Sequence, residues 1–596
     1  DDVHGMSWKG KNGTGFIFDA IKELPENCIV ISTLSKTFGA SGATVFCKNQ
    51  KLRDKIKNFG GPLTFSAQLE PASVAAAIAS ADIHLTPEIT VKQKDLEAKI
   101  AYFNQLLSQG NLPIISKNDS PVFFLGMATP ITAYNFLQRI FKEGFFLNLG
   151  IYPAVPIKNT GIRITLSSHN QMQDIKALAE AIEYHFPKAL EETNNSETKI
   201  RQAFGIETKK VEKITEAKNE ELFFEEKNTI LDIEKSEWNR YMGKQNIFDW
   251  EGLIYLEQTF SNHRDQTNQC DFYYYIIKDS KGEVILMTFF TYGLWKDDML
   301  ATESVSVQLE EVRKTNPLYL TSKVLGMGCL FTEGSHSFIN EGHTSAEKAL
   351  KLLLEKIEEK YNALNADMLV LRDFEEKNVW NKTIQDQGYF KINMPESCVI
   401  QNQNWNTNEE FANRLTPRSR KHFNKEILPY ENSYDVVIKE RLNESEIARA
   451  YQLYNNVKDN NYAINTFRYQ QDVFENMNES PNWEFILVAL KTDTENPFCG
   501  VMFCYKNDKN TYVPELIGMD YQWAKEYHLY RQLLFQTIKR ANTLQIPNID
   551  FGVSASFEKR KLGAKVIPKV AYVQTRDNFA MEAMNTLQND YKSIKK

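Results

Sequence analysis

The sequence has few of the features that mark secreted, membrane or metal-binding proteins. Its seven cysteines are odd in number and scattered without a CxxC pair, which favours reduced thiols over disulfides or zinc. No apolar run approaches the roughly 18 residues that a membrane span needs, and no signal peptide is visible. We therefore expect a cytoplasmic protein with no integral membrane segment and no metal.

An excess of positive charge is also missing. The 596 residues carry 70 basic and 77 acidic side chains and a net charge of −7, so no nucleic-acid partner is expected. The hydrophobic and charged fractions, 42% and 25%, are those of an ordinary soluble protein. At roughly 150 residues per domain, this length predicts about three or four domains.

The first part of the chain, residues 1–188, alternates strand-like and helical patterns and is predicted to be an α/β domain. "NCIVIS" and "ATVFC" are predicted as short buried strands. The segment "QMQDIKALAEAIEYHF" predicts a helix, and one face of it carries Met172, Ile175, Leu178, Ala179 and Ile182.

Residues 189–244 are rich in Glu, Lys, Asn and Thr with little periodicity, which predicts a charged linker with some helix or, alternatively, a charged bridging helix.

The C-terminal part contains an internal repeat. Two segments, "SAEKALKLLLEKIEEK" and "LYRQLLFQTIKRA", place apolar or tolerated core residues at the same helical spacing, at 346, 349, 350, 353, 354 and 357 and at 530, 533, 534, 537, 538 and 541. Each leads into a strand, "DMLVLRDF" or "NIDFGVSA", and then a glycine turn. Two such units in one order indicate a duplication, with α+β domains at 245–405 and 406–596.

The stretch "STLSKTFGASGATVFC" places Lys36 between a strand and a glycine-punctuated turn. A lysine that loses its proton can form a Schiff base with an aldehyde such as pyridoxal 5'-phosphate. That cofactor needs a carboxylate at its pyridine nitrogen, donors for its phosphate and a cation for the carboxylate of the substrate. The residues around Lys36 therefore decide whether it is a nucleophile or a solvated lysine.

Four blocks of residues 1–188 resemble the α-oxoamine synthases, which are pyridoxal-phosphate enzymes with the fold of the aspartate aminotransferases (fold type I). They are "DDVHGMSWKGKNGTG", "STLSKTFGASGA", "GGPLTFSAQLEPA" and "FLNLGIYPAVPIKNTGIRITLSSHNQMQDI", in the order of the family. The resemblance implies the C-terminal part of such a domain. We expect the N-terminal portion of the family to precede Asp1.

The resemblance also implies roles for individual residues. Asp1 would pair with the pyridine nitrogen and His4 with the ring's phenolic oxygen. Lys36 would form the Schiff base and carry protons, and Arg163 would hold the substrate carboxylate. The phosphate would be contacted by Thr33 and, from the partner of a homodimer, by Ser66 or, as a weaker choice, Thr64.

Each of these residues has a structural alternative. Asp1 and His4 would cap a turn, Thr33 would be an ordinary strand residue, and Arg163 would form a surface ion pair. The sequence also departs from the family where "GMSWKG" replaces a more glycine-rich run, and where His169 comes one place early.

The two C-terminal units resemble tandem GCN5-related (GNAT, Fem-like) acyltransferases. The phosphate-binding turn that is usual in that superfamily is recognisable in neither unit. The basic run "RLTPRSRKHFNK" is either a phosphate or acidic-carrier site or a solvated helix start. Asp373, Glu515 and Asp550 end strands, but the sequence nominates no catalytic base.

Together the resemblances imply two consecutive reactions. The first unit would condense an amino acid with an acyl thioester, carried by coenzyme A or an acyl-carrier protein, and release carbon dioxide to give an α-amino ketone. The second would acylate the new amine, in sphingolipid- or sulfonolipid-like synthesis. The alternative is a short-chain synthase of the kind found in biotin or threonine metabolism, followed by a non-catalytic binding module.

Overall fold

A computed structural model describes residues 1–576 except 22, 62–67, 111, 116–118, 153, 194, 207–220, 463 and 508–509. The chain forms two compact units. The first comprises residues 1–151 and 159–211, and the second comprises residues 152–158 and 212–596.

The described elements of the first unit alternate between strands and helices, as the sequence predicts. They are α1 (Phe16–Ala20), β1 (Ile29–Thr33), β2 (Ala43–Cys47), α2 (Gln50–Phe59), α3 (Pro71–His84), α4 (Glu88–Gln109), β3 (Val122–Ala128), α5 (Pro130–Lys142), β4 (Asn148–Gly150), β5 (Thr160–Thr165), α6 (Met172–Glu192) and α7 (Glu197–Ala203).

The core of the first unit lies between a small antiparallel sheet, in the order β3–β5–β4, and helices α4, α5 and α6. Helix α6 begins at a capping box in which the side chains of Gln171 and Asp174 exchange hydrogen bonds with each other's backbone. Its predicted apolar face is confirmed at four of five positions, since only Met172 is exposed.

The strands flanking the lysine loop are confirmed, but the prediction that they are buried holds for one face of β1 only. β1 and β2 pair only with each other among the described strands, in an antiparallel ribbon. Val30 and Ser32 of β1 are buried, whereas Ile31 and Val45, on the opposite face, keep 46% and 49% of their surface exposed because the described residues do not cover that face.

The second unit contains the remaining strands and helices. They are β6 (Phe223–Lys227), α8 (Lys235–Tyr241), α9 (Trp250–Phe260), β7 (Cys270–Lys278), β8 (Val284–Lys296), α10 (Glu303–Arg313), β9 (Thr321–Met327), β10 (Ser337–Ile339), α11 (Ala346–Ala363), β11 (Met368–Glu375), α12 (Asn381–Asp386), β12 (Phe390–Ile400), α13 (Asn408–Arg414), α14 (Pro417–Glu426), β13 (Tyr434–Lys439), α15 (Glu444–Asn460), α16 (Gln471–Glu479), β14 (Trp483–Leu490), β15 (Gly500–Asn507), β16 (Thr511–Met519), α17 (Tyr521–Ala524), α18 (Leu529–Thr543), β17 (Asn548–Asp550), α19 (Ser556–Lys561) and β18 (Lys565–Thr575).

The predicted repeat is present as two series of elements in one order. The series β6–α8–α9–β7–β8–β9–α11–β11–α12–β12 corresponds to β13–α15–α16–β14–β15–β16–α18–β17–α19–β18. The predicted core positions of α11 are all buried, and those of α18 are buried except for half-buried Tyr530. We call the two series the first and second repeat.

The two repeats share one sheet because their last strands are exchanged. The order is β13–β14–β15–β16–β17–β12–β18–β11–β9–β8–β7–β6, with β10 beside β8. Strand β12 of the first repeat therefore pairs with β17 of the second, and β18 of the second pairs with β11 of the first.

The range predicted as a charged linker, residues 189–244, contains ordered elements at both of its ends. Helices α6 and α7 extend into it from one side, and β6 and α8 belong to the second unit. In the described part of the chain, none of the helices combines the length and the apolar character that crossing a membrane would require.

Candidate functional site

Lys36 is presented by a tight loop between β1 and β2. The backbone N–H of Leu34 donates to the carbonyl of Gly42 at 2.9 Å, and that of Ala40 donates to the carbonyl of Leu34 at 2.7 Å. Gly39, at φ +73°, closes the turn by donating to the carbonyl of Lys36. These bonds fix the backbone of the loop and leave the Lys36 side chain exposed.

Three of the predicted site residues come together around this loop. The Nζ atom of Lys36 lies 3.0 Å from Nε2 of His4. Desolvation, followed by the positive charges of Lys36 and then Arg163, lowers the pKa of His4. A neutral imidazole beside an amine is suited to hold or pass one proton.

Arg163 projects from the middle of its sheet, where it is opposite Phe124 of β3 and Asn148 of β4. The surface ion pair considered as its alternative role is absent from the described residues, and no described hydrogen bond engages its side chain. The guanidinium is exposed and available for a carboxylate.

Asp1 and Thr33 make local contacts. An Asp1 carboxylate oxygen accepts the N–H of Val3 at 2.9 Å, which is the turn-capping alternative. The Thr33 hydroxyl lies 2.7 Å from that of Ser35 and donates to the carbonyl of Gly42 at 3.2 Å. Their roles toward the cofactor stay predictions. Thr64 and Ser66 lie outside the described residues.

Two residues that the sequence does not single out also support the site. His84, at the end of α3, makes a 2.9 Å hydrogen bond through Nε2 with the hydroxyl of Ser7, and its ring contacts Phe38 of the lysine loop. Asp2 is buried and accepts the N–H of Ile17 at 2.9 Å, while its own N–H donates to Ile31 of β1. The available signal was a single histidine on an alanine-rich helix.

The strand-end carboxylates of the second unit also have distinct environments. Asp373 is buried and is bonded by Arg372 at 2.9 Å and by His336 at 2.7 Å. Burial alone would raise the pKa of Asp373, but Arg372 and His336 hold it at about 2. Glu515 and Asp550, in contrast, line a cavity.

The basic run is part of helices α13 and α14. Arg414 donates to the carbonyls of Asn402 and Asn404, and Arg420 donates to those of Ala412 and Asn413. Two of its five basic side chains therefore satisfy backbone carbonyls at loop and helix ends, whereas Arg418, Lys421 and Lys425 are exposed.

Residues 2–182 match the aminotransferase class I and II family. An 8-amino-7-oxononanoate synthase of Petrotoga mobilis is 32% identical over 181 residues, which are 29% of this chain and 43% of the relative. The corresponding enzyme of Saccharophagus degradans is 29% identical over 182 residues, covering 30% of this chain and 45% of the relative. The chain thus spans less than half the length of these curated relatives.

Among solved structures, a serine palmitoyltransferase of Sphingomonas wittichii is 20% identical and covers 32% of this chain and 47% of its own, with a TM-score of 0.29. An 8-amino-7-oxononanoate synthase of Francisella tularensis is 24% identical at the same TM-score, 0.29.

The matched family depends on pyridoxal 5'-phosphate, so the predicted cofactor is confirmed for this part of the chain. The predicted class of fold, a part of an aminotransferase-like α/β transferase, is confirmed as well. The residues around the lysine loop fit this cofactor, because the Lys36 amine lies 3.0 Å from the His4 imidazole and the Arg163 guanidinium, which no described hydrogen bond or ion pair engages, is near enough to lower the pKa of His4.

Proposed function

We propose that the first unit belongs to a synthase of α-amino ketones. In this reaction an amino acid is condensed with an acyl thioester, a carbon–carbon bond forms, the thiol leaves and carbon dioxide is lost. The observation that supports it best is the contact between Lys36 and His4 beside the unpaired Arg163, within the residues that match the family. The carrier of the acyl group is coenzyme A or an acyl-carrier protein, and the enzyme works as a cytoplasmic homodimer.

The side chains divide the work as follows. Arg163 binds the carboxylate of the amino acid with its planar guanidinium. Lys36 would anchor the cofactor and then take the proton from the α-carbon. His4, whose Nε2 lies 3.0 Å from the lysine amine, would pair with the phenolic oxygen of the cofactor ring. When bound, pyridoxal phosphate supplies an electron-withdrawing ring that stabilises negative charge at that carbon. Asp1 holds its pyridine nitrogen, and Thr33, with Ser66 or Thr64 of the partner subunit, holds its phosphate.

For the second unit we propose an N-acyltransferase of the tandem GCN5-related kind that acylates the amine made by the first. Its support is the repeated order of elements, in which four strands lead to a helix and then to a strand parallel to the fourth in each repeat, with the short strand β10 added in the first. The product of both units is then an amide-linked lipid intermediate, as in sphingolipid- or sulfonolipid-like synthesis.

A second candidate follows from the names of the curated relatives. They are 8-amino-7-oxononanoate synthases, which favours a short-chain synthase whose second unit binds a ligand without turnover.

One experiment separates these possibilities. The full chain, supplied with pyridoxal phosphate, labelled amino acids and acyl thioesters of short and long chain, is extracted and its products are analysed by mass spectrometry. We expect a labelled long-chain amino ketone and its N-acyl derivative. We also expect a pyridoxyl group on Lys36 after borohydride reduction, because a deprotonated lysine attacks the aldehyde.

Lys36→Ala is expected to remove both products. Lys51→Ala, which replaces an exposed lysine on α2, is the control and is expected to change neither product. Amino ketone without amide from any donor would contradict the acyltransferase role. Condensation with short donors alone would support the second candidate.

A further inference from the structure

The second repeat has an opening between its strands beside Glu515. Strand β16 pairs with β15 so that Pro514 is opposite Cys504 and Leu516 is opposite Phe503, and Glu515 is therefore the extra residue of a β-bulge. Bulges redirect a side chain and often lie next to functional sites. On its other side, β16 pairs with β17 only at Thr511 and Tyr512. Beyond these two pairs, none of the described strands covers that edge of β16.

A cavity of about 170 Å³ occupies this opening, and both repeats line it. The first repeat contributes Thr332 and Glu333, and the second contributes Glu515 and Asp550. Gly552 allows the repeats to approach closely here, because a Cβ atom at this position would lie 2.8 Å from a carboxylate oxygen of Glu333. The cavity therefore exists only where the repeats meet.

Three carboxyl groups face this cavity without a cation. Glu515 accepts the hydroxyl of Thr332 at 2.6 Å, and Asp550 accepts Asn246 at 3.0 Å and the N–H of Gly552 at 2.8 Å. Glu333 is half-buried, and in the described part of the chain no hydrogen-bond donor reaches its carboxylate. Nor does any described lysine, arginine or histidine nitrogen lie within 4.0 Å of the three carboxyl groups.

The nearby cations are already engaged. Arg372 is bonded to Asp373, and Lys569 donates to the carbonyl of Asp373. Lys559 donates to the carbonyls of Phe551 and Val553, at 2.7 Å each. Desolvation, against the opposing charges of Arg372 and Lys559, raises the pKa of Glu333 to about 7, and it also raises the pKa values of Glu515 and Asp550. Carboxylates that are desolvated without an ion pair are costly in their charged form, and a bound cation offsets that cost.

A second, apolar cavity of about 260 Å³ adjoins the first. The lining residues that the two share are Pro514, Glu515, Leu516, Phe551, Val553 and Ser554. Beyond Glu515 the second cavity is lined mainly by aliphatic and aromatic side chains, including Val457, Met502, Ile517, Met519, Tyr530 and Leu534. Lys559 also lines it, with its amine bonded to the carbonyls of Phe551 and Val553. Together the two volumes fall in the range of roughly 300–1,000 Å³ that small-molecule sites occupy.

The corresponding place in the first repeat is filled. Strand β9 pairs with β11 over three residues, and beyond them Arg372 donates to the carbonyls of Cys329 and Thr332. His336 and Asp373 complete this buried network. The space that is open beside the parallel strands of the second repeat is thus occupied by side chains in the first.

We infer that the joined cavities bind a long-chain primary amine, with its ammonium group among Glu333, Glu515 and Asp550 and its alkyl chain in the apolar cavity. This inference rests on the proposed function in one respect, since such an amine is what the first unit would supply and the second would acylate. The site itself requires only charge and shape. Three carboxyl groups that form no ion pair select a cation, and the adjoining, mainly apolar walls select a chain.

Binding of decylamine to the full chain tests the inference without any turnover. Isothermal titration below the aggregation range of the amine is expected to show one site, with at least tenfold weaker binding of decanol and of propylamine. Glu333→Gln and Glu515→Gln are each expected to weaken decylamine binding about tenfold. Ile517→Trp fills the apolar cavity and weakens decylamine but not propylamine.

Glu526→Gln, at an exposed position of the same unit, is the matched control and leaves binding unchanged. Glutamine at 333 or 515 replaces a carboxyl group of the same size, and circular dichroism checks that the variants are folded. Equal affinity for decanol, or unchanged binding in both glutamine variants, would overturn the inference. Decylamine binding without amide formation would leave the site standing and remove the proposed acyl transfer.

Discussion

At the scale of single residues, the second unit shows how the surroundings of a carboxyl group set its pKa. Asp373 is buried with a guanidinium and an imidazole and keeps its charge, with a pKa of about 2. Glu333 is desolvated without a partner, and its pKa is about 7. These two pKa values cannot be predicted from the sequence, because the residues that decide them, Arg372 and Asp550 among them, come together only in the fold.

The raised pKa of Glu333 predicts that the stability of the protein depends on pH. Its pKa in the folded state, about 7, lies above its ordinary value of 4.5, so the unfolded chain releases the proton first as the pH rises. The contribution of Glu333 to stability is complete below pH 4.5 and is lost between pH 4.5 and 7, by on the order of 2–3 kcal/mol. Glu333→Gln removes this loss.

Urea unfolding followed by tryptophan fluorescence measures the effect, since seven of the eight tryptophans, all except Trp8, belong to the second unit. We expect Glu333→Gln to match the parent near pH 4 and to exceed it at pH 8. Glu526→Gln should follow the parent at both pH values. A glutamine variant that loses stability at pH 8 would show that Glu333 is paired in the folded protein.

At the scale of elements, helices could be predicted and strand partners could not. The faces of α11 and α18 follow from local periodicity, and Thr537 fits a core position because its hydroxyl donates to the carbonyl of Leu533. The strands beside Lys36 were located correctly, but their exposure depends on neighbours that local sequence does not specify. The exchange of β12 and β18 joins residues more than 150 positions apart, such as Val399 and Asp550 or Leu369 and Gln574.

This exchange predicts that the two repeats stay together when the chain between them is cut. A protease site inserted after Gln401, an exposed residue just beyond β12, allows the full chain to be cleaved between the repeats. Because each repeat supplies a strand to the other's half of the sheet, both pieces should elute as one species of unchanged size in native buffer and separate only in denaturant. The uncut protein with the same insertion is the control. Separation in native buffer would contradict the exchange.

At the scale of the whole molecule, each unit has its own hydrophobic core. The core of the first is built from α4, α5 and α6 against its small sheet, and the cores of the second lie on its large sheet. The charged composition of residues 189–244 indicated a boundary, but it concealed β6 and α8. Trp238 of α8, for example, is buried against Tyr274 and Phe289 of the large sheet, contacts that the local sequence does not indicate.

Separate cores predict separate unfolding transitions, each responding to its own ligand. A ligand that binds only the folded state stabilises it by about 2.7 kcal/mol at 100 times its dissociation constant. In calorimetry, pyridoxal phosphate should therefore raise the transition of the first unit, and decylamine should raise that of the second. Lys36→Ala should abolish the first shift and keep the second, whereas Glu333→Gln should do the reverse. A single transition moved by both ligands would show that the units unfold as one and that the two sites are coupled.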